Sequence, residues 1–160
     1  MRRVALIVSL LGAAAALVGA TQVAAQPRAH MAATVRLLVI RTADGETAAL
    51  APVVIHGRTF PFLIDTGATR SVVDQALAKK LRLAKVGAPI RVSGVGCTSA
   101  ARNVRLAGWR IGGQRLPAII ATTTRIAGAN GRAFGLLGSD VLSRFGSAKI
   151  DYAHARLILG

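Results

Sequence analysis

The chain has 160 residues, 52% of them apolar, and its 21 Lys and Arg outweigh 6 Asp and Glu to give a formal charge of +15. That length suits one domain, and the apolar content excludes a disordered chain. The charge permits attraction to nucleic acid, anionic lipid or acidic substrates. The bases are mostly single arginines scattered among apolar residues, with neither a basic arm nor an aromatic ladder, so nucleic acid is not an expected partner.

The first residues read as an export signal. Met1-Arg2-Arg3 precedes an apolar run from Val4 to Ala20, and Val23-Ala24-Ala25 supplies small residues for cleavage after Ala25. The expected location is periplasmic or secreted. The alternative is a retained inner-membrane tether, since the run lies at the short edge of a spanning helix. A membrane partner is expected only in that case. Residues 26–34 read as a flexible leader or a first edge strand, and 35–160 as the folded domain.

Aromatic residues are few, so the core must rest on Val, Ile, Leu and Ala. Val35 to Ile40 has strand composition, and Asp44-Gly45-Glu46 signals a turn. Pro52–Ile55 and Thr59–Ile64 flank a turn at His56-Gly57-Arg58. A helix is expected next, capped by Ser71 with Asp74 three residues on, because Val73, Leu77 and Leu81 recur every four residues. Lys79 and Lys80 suit its C-terminal end.

Further short strands follow. Ile90-Arg91-Val92 leads into Ser93-Gly94-Val95-Gly96-Cys97, and Val104 and Leu106 share one face of the next strand. Gly112-Gly113 predicts a tight hairpin turn between Trp109–Ile111 and Gln114–Leu116. Thr122 to Arg132 reads as a polar loop. Phe134–Gly138 returns to the core, Ser139–Phe145 suits a short helix, and Ala148–Tyr152 and Arg156–Leu159 read as a last hairpin. His56 and His154 sit at turns with no inferable partner. Trp109 reads as sheet packing and Asp151 as a structural acid. The fold class expected is all-β with one or two short helices.

One constellation carries chemistry. Phe62-Leu63-Ile64 delivers Asp65-Thr66-Gly67-Ala68 into a turn. A carboxylate at the end of an apolar strand is costly unless it is hydrogen-bonded or used. Gly67 lets backbone approach it, and Ala68 leaves room beside it. Taken alone, the four residues equally suit an Asx turn. Well downstream stand Leu136-Leu137-Gly138-Ser139-Asp140-Val141-Leu142, then Lys149-Ile150-Asp151-Tyr152.

Together these motifs, over roughly residues 35–160, resemble the bacterial single-domain retropepsin-like aspartic proteases. The resemblance implies a half-barrel with Asp65 as the catalytic residue, Thr66, Gly67 and Ala68 supporting its loop, and Leu136, Leu137 and Gly138 packing behind it. One such motif per chain implies a homodimer, in which two copies of Asp65 form the catalytic pair. The implied function is hydrolysis of protein or peptide substrates, and the chemistry requires no cofactor and no metal.

By position, Val92, Gly94, Val95 and Gly96 resemble the flap that closes over substrate. Their other reading is an ordinary Gly-rich turn. Cys97 is the sole cysteine, so no intrachain disulfide can form. Retroviral relatives often join the two halves of the site through an Arg–carboxylate pair. Ser139 and Thr69 stand at those positions here, and Asp140 is left to cap or orient the final helix. The alternative function is a non-catalytic peptide-binding or envelope interaction module that retains the fold.

Overall fold

Short runs of β-branched and aliphatic residues, punctuated by glycine, favour strands over helices. The computed structural model bears this out, and it describes residues 32–41, 45–94, 97–126 and 132–160, with backbone alone for 92–94 and 97–100. The first elements are β1 (Ala33–Arg36), β2 (Leu38–Arg41), β3 (Thr47–Ile55), β4 (Arg58–Ile64), β5 (Val72–Asp74) and α1 (Gln75–Lys80). They are followed by β6 (Ala84–Gly94), β7 (Cys97–Leu106), β8 (Trp109–Ile111), β9 (Gln114–Leu116) and β10 (Ile119–Thr124). The last are β11 (Gly135–Leu137), α2 (Ser139–Leu142) with a 3-10 turn over Ser143–Phe145, β12 (Ala148–Asp151) and β13 (Arg156–Leu159).

Two sheets result. A ten-stranded sheet runs β6-β7-β10-β5-β11-β4-β3-β8-β9, with β2 added to β3, and a three-stranded sheet runs β1-β13-β12. The tight turns are those the glycines predict. His56 and Gly57 (φ 49° and 81°) join β3 to β4, and Gly112 and Gly113 (φ 54° and 82°) join β8 to β9. Positive φ at both central residues matches the right-handed twist of the flanking strands.

The core lies where the two sheets and the helices meet. Val53, Phe62, Val73, Leu137, Val141, Phe145 and Leu157 are all fully buried in one cluster. Trp109 packs there too, and its indole N–H donates to the Pro117 carbonyl at 3.0 Å. Val104 and Leu106 are buried on β7 while Arg105 is exposed, the alternation their spacing predicts.

Several expectations are corrected. The helix does not start at Ser71: Val72 and Val73 form β5, parallel to β10 and antiparallel to β11. Pairing on both edges overrides the four-residue spacing, which combined a strand residue, Val73, with two later ones. Asp74 is the true cap, its Oδ1 accepting from the N–H groups of Ala76 (2.9 Å) and Leu77 (3.2 Å). The segment read as a loop from Thr122 begins instead as the end of β10, where Thr122 and Thr123 are buried. Thr123 Oγ1 donates to the Arg102 carbonyl, so a polar residue serves as a core residue. Ala33 and Thr34 belong to β1 rather than to a leader, and the strand-like stretch from Val35 divides at Leu37 between the two sheets. The export signal lies outside the described residues. Among the described residues, no helix is long and apolar enough to cross a membrane.

His154 does have a partner. Its Nδ1 lies 2.8 Å from Asp151 Oδ2, its backbone N–H donates to Asp151 Oδ1 at 3.0 Å, and Arg156 approaches the same carboxylate at 3.6 Å. The backbone N–H of His154, helped by its ring and by Arg156, holds the Asp151 carboxyl below its ordinary value of 3.8 against the opposing effect of partial burial.

Two outcomes follow from this packing. A Cβ at Gly135 would overlap the ring of Phe62, which is fully buried and cannot move aside. Gly135→Ala should therefore cost about 1–3 kcal/mol as overpacking, measured by urea denaturation. The depressed Asp151 carboxyl contributes stability above its unfolded-state value, and that stability is lost as pH falls through the lower folded-state value. Denaturation midpoints of the wild type and Asp151→Asn should thus differ at neutral pH, and the difference should shrink as pH falls below the ordinary carboxylate range.

Candidate active site

β4 lies between β3 and β11 and carries the candidate catalytic residue at its end. Its pairing with β11 is parallel, with Phe62 opposite Gly135, Leu63 opposite Leu136 and Ile64 opposite Leu137. The pairing continues one step further, where the Asp65 N–H donates to the Leu137 carbonyl at 3.0 Å. The chain then turns on the carboxylate itself. Asp65 Oδ1 accepts from the N–H groups of Gly67 (2.9 Å) and Ala68 (3.1 Å), and the Ala68 N–H also reaches the Asp65 carbonyl at 3.3 Å. The Asx turn and the functional motif are thus one structure: the turn fixes the carboxylate's direction.

Asp65 is half-buried, while Thr66 and Gly67 are exposed. No described residue hydrogen-bonds Oδ2. The other described aspartates all have structural duties: Asp74 caps α1, Asp140 binds Ser71, and Asp151 holds the last hairpin. Among the described residues, a single chain therefore presents one carboxylate at this site, bonded through Oδ1 alone.

Leu136, Leu137 and Gly138 stand behind the loop. A side chain at Gly138 would meet the Arg70 carbonyl carbon at 2.7 Å and the Ala68 oxygen at 2.8 Å, both backbone atoms that cannot swing away. Ser139 then closes on the loop twice, through its N–H (2.8 Å) and its Oγ (3.1 Å), both donating to the Ala68 carbonyl. Beside it, Ser71 is buried and fully engaged. Its Oγ donates to Asp140 Oδ1 at 2.7 Å and accepts from the Gly138 N–H at 3.0 Å, and its N–H donates to the same Asp140 oxygen at 2.9 Å.

These bonds correct two readings. Asp140 is not a helix cap: α2 begins at Gly138 with no side-chain cap, and the carboxylate points to Ser71. Ser71 is not a helix cap either. Ser71 and Ser139 escaped sequence reasoning because small hydroxyl residues beside turns are ubiquitous. The one signal was the joint replacement of the family's Arg–carboxylate pair, since losing both charges implies a neutral substitute. Here Ser139 donates to the Ala68 carbonyl and Ser71 to the Asp140 carboxylate.

The motif residues at Asp65–Ala68 and Leu136–Asp140 are therefore brought together. The flap residues are covered only in part. Val92 and Gly94 lie on β6, paired with Ser99 and Cys97 of β7 in a long hairpin. Val95 and Gly96 lie outside the described residues. Among the described residues, no group of three His, Cys, Asp or Glu is placed to hold a metal ion.

Ser71→Ala would leave the buried Gly138 N–H without its acceptor and remove a donor from Asp140. It should cost about 1–3 kcal/mol in urea denaturation, the desolvation cost of an unsatisfied buried group.

Comparison with known proteins agrees with this geometry. The profile of a family described as aspartyl protease matches residues 51–141, a span that holds both halves of the site. No curated protein matches the chain. Among solved structures, it is similar to a retropepsin-like aspartic protease from Rickettsia conorii, with a TM-score of 0.52 and 21% identity, covering 81% of this chain and 92% of that one. The retroviral protease-like domain of Ddi1 from Leishmania major also matches, with a TM-score of 0.48 and 21% identity over 69% of this chain and 86% of that one. The half-barrel expected from the sequence is the fold shared with the Rickettsia protein, and the chain belongs to the aspartyl protease family whose profile it matches.

Proposed function

We propose that the protein is an aspartic endopeptidase whose active centre forms when two copies bring their Asp65 side chains together. The observation that carries this reading is the fixed Asp65 carboxylate, with Oδ1 held by the loop's own N–H groups and Oδ2 bonded by no described residue. A lone carboxylate is a poor catalyst for amide hydrolysis. Two placed about 3 Å apart cannot both ionise cheaply, so they share a proton and act as base and acid together.

The steps balance without a covalent enzyme intermediate. The ionised carboxylate takes a proton from water as its oxygen attacks the scissile carbonyl carbon. The protonated one donates to the carbonyl oxygen, giving a tetrahedral diol. Proton transfer to the nitrogen then lets the carbon–nitrogen bond break, releasing a carboxylic acid and an amine. Within each copy, the bonds from Ser139 and Ser71 hold the loop in place. Such placement lowers the barrier because the groups need no reorganisation during reaction. Val92, Gly94, Val95 and Gly96 act as the flap in this reading. The apolar run after Arg3 supports export, so hydrolysis takes place in the periplasm or outside the cell, in released or tethered form.

Asp65→Asn should abolish peptide hydrolysis while leaving thermal unfolding near that of the wild type. Activity should sediment with the dimer and follow a bell-shaped dependence of kcat/KM on pH with an acidic maximum. A fully active monomer would sink the paired mechanism. Peptide binding without hydrolysis at any pH would favour the non-catalytic module.

A further inference from the structure

Four of the chain's 21 bases line one concavity. A cavity of about 570 Å³ lies between α1 and the sheet edge formed by β6, β7 and β10. Lys79 from α1, Arg82 from the turn after it, Lys85 from β6 and Arg102 from β7 all line it, and among the described residues no carboxylate does. Ala78, Leu83 and Val104 supply an apolar floor. Asp65 and its loop contribute nothing to it.

Two details of the backbone point to a purpose. Arg82 follows the helix C-cap with φ 52°, held by its N–H to the Lys79 carbonyl at 3.1 Å. That left-handed position normally takes glycine, and a side chain there costs about 1 kcal/mol or more. The chain accepts this cost and gains an arginine at the cavity. Next to it, the pairing of β6 with β7 shifts register between Val86 and Ile90, opposite Arg102. Within this shift no residue of β6 is paired with Arg102.

Four cations converging in a concavity repel one another, and walls of low dielectric focus their field. Arginine forks match the paired oxygens of carboxylate and phosphate. The volume falls within the ~300–1,000 Å³ typical of small-molecule sites, and the apolar floor gives a bare ion nothing to contact. We infer that this cavity binds an amphipathic oxyanion, a phosphate or carboxylate head held by Arg82, Lys85 and Arg102 with a short alkyl or aryl body over Ala78, Leu83 and Val104.

The test is calorimetric titration of the full chain with n-octyl phosphate below its micellar concentration, and with inorganic phosphate in parallel. Octyl phosphate should bind saturably at one site per chain, about tenfold or more tighter than inorganic phosphate. The triple variant Arg82→Gln, Lys85→Gln, Arg102→Gln should weaken it by about tenfold or more. The charge-matched variant Arg58→Gln, Arg110→Gln, Arg115→Gln should stay within about twofold of wild type, because those exposed bases lie elsewhere. Single Arg102→Gln and Arg110→Gln variants repeat the contrast if either triple variant fails to fold. Equal weakening in both variants, no saturation, or equally tight inorganic phosphate would overturn the assignment.

Discussion

The parallel register between β4 and β11 is the constraint on which the rest depends. These strands are far apart in sequence, and their pairing puts the end of the Asp65 strand beside Gly138. The approach is so close that the backbone from Ala68 to Arg70 occupies the space a side chain at Gly138 would need. Everything at the site follows from that proximity. The Asp65 N–H finds the Leu137 carbonyl, Ser139 finds Ala68, and Ser71 bridges Gly138 and Asp140. A slip of one residue would turn each inward side chain outward and break all of these bonds together. The fully buried Phe62, Val73 and Leu137, which pack in the same core, oppose such a slip.

The site is braced by neutral groups rather than by ion pairs. Hydroxyl and backbone donors carry the load around Asp65, and the one acid among them, Asp140, is met by two donors from a single residue. This suits the shared-proton mechanism proposed for the Asp65 pair. A nearby fixed cation would favour ionisation of both carboxylates and empty the proton from the pair. In the described residues, the ion pairs instead gather at Asp151 in the last hairpin, away from the Asp65 loop.

Much of this was legible in the sequence where local chemistry decides structure. The two-residue turn at Gly112-Gly113 and the alternation along β7 are short-range signals and read correctly, and the turn read at His56-Gly57-Arg58 differs only in that Arg58 opens β4. Failures arose where distant strands decide. Val72 and Val73 satisfy a helical spacing, yet their β-branched side chains are claimed by β10 and β11. Thr122 and Thr123 look like loop residues but are buried by pairing with β7 and β5. Ser71 reads in the sequence as a helix cap, because its actual role exists only once Asp140 and Gly138 have been brought from the far end of the chain. The basic cavity is a product of topology in the same way, since its cations come from separate elements.

The small sheet has a consequence for the order of events in the life of the chain. β13 is its middle strand, flanked by β1 from the start of the described domain and β12 from just before it. Ala33 must wait for Leu159, so this sheet cannot close while the chain is still being synthesised through that region. Contacts of such long span form slowly, because the entropy of a large loop is lost before any contact rewards it. The leading strand β1 therefore stays unpaired in this sheet until β13 has been made.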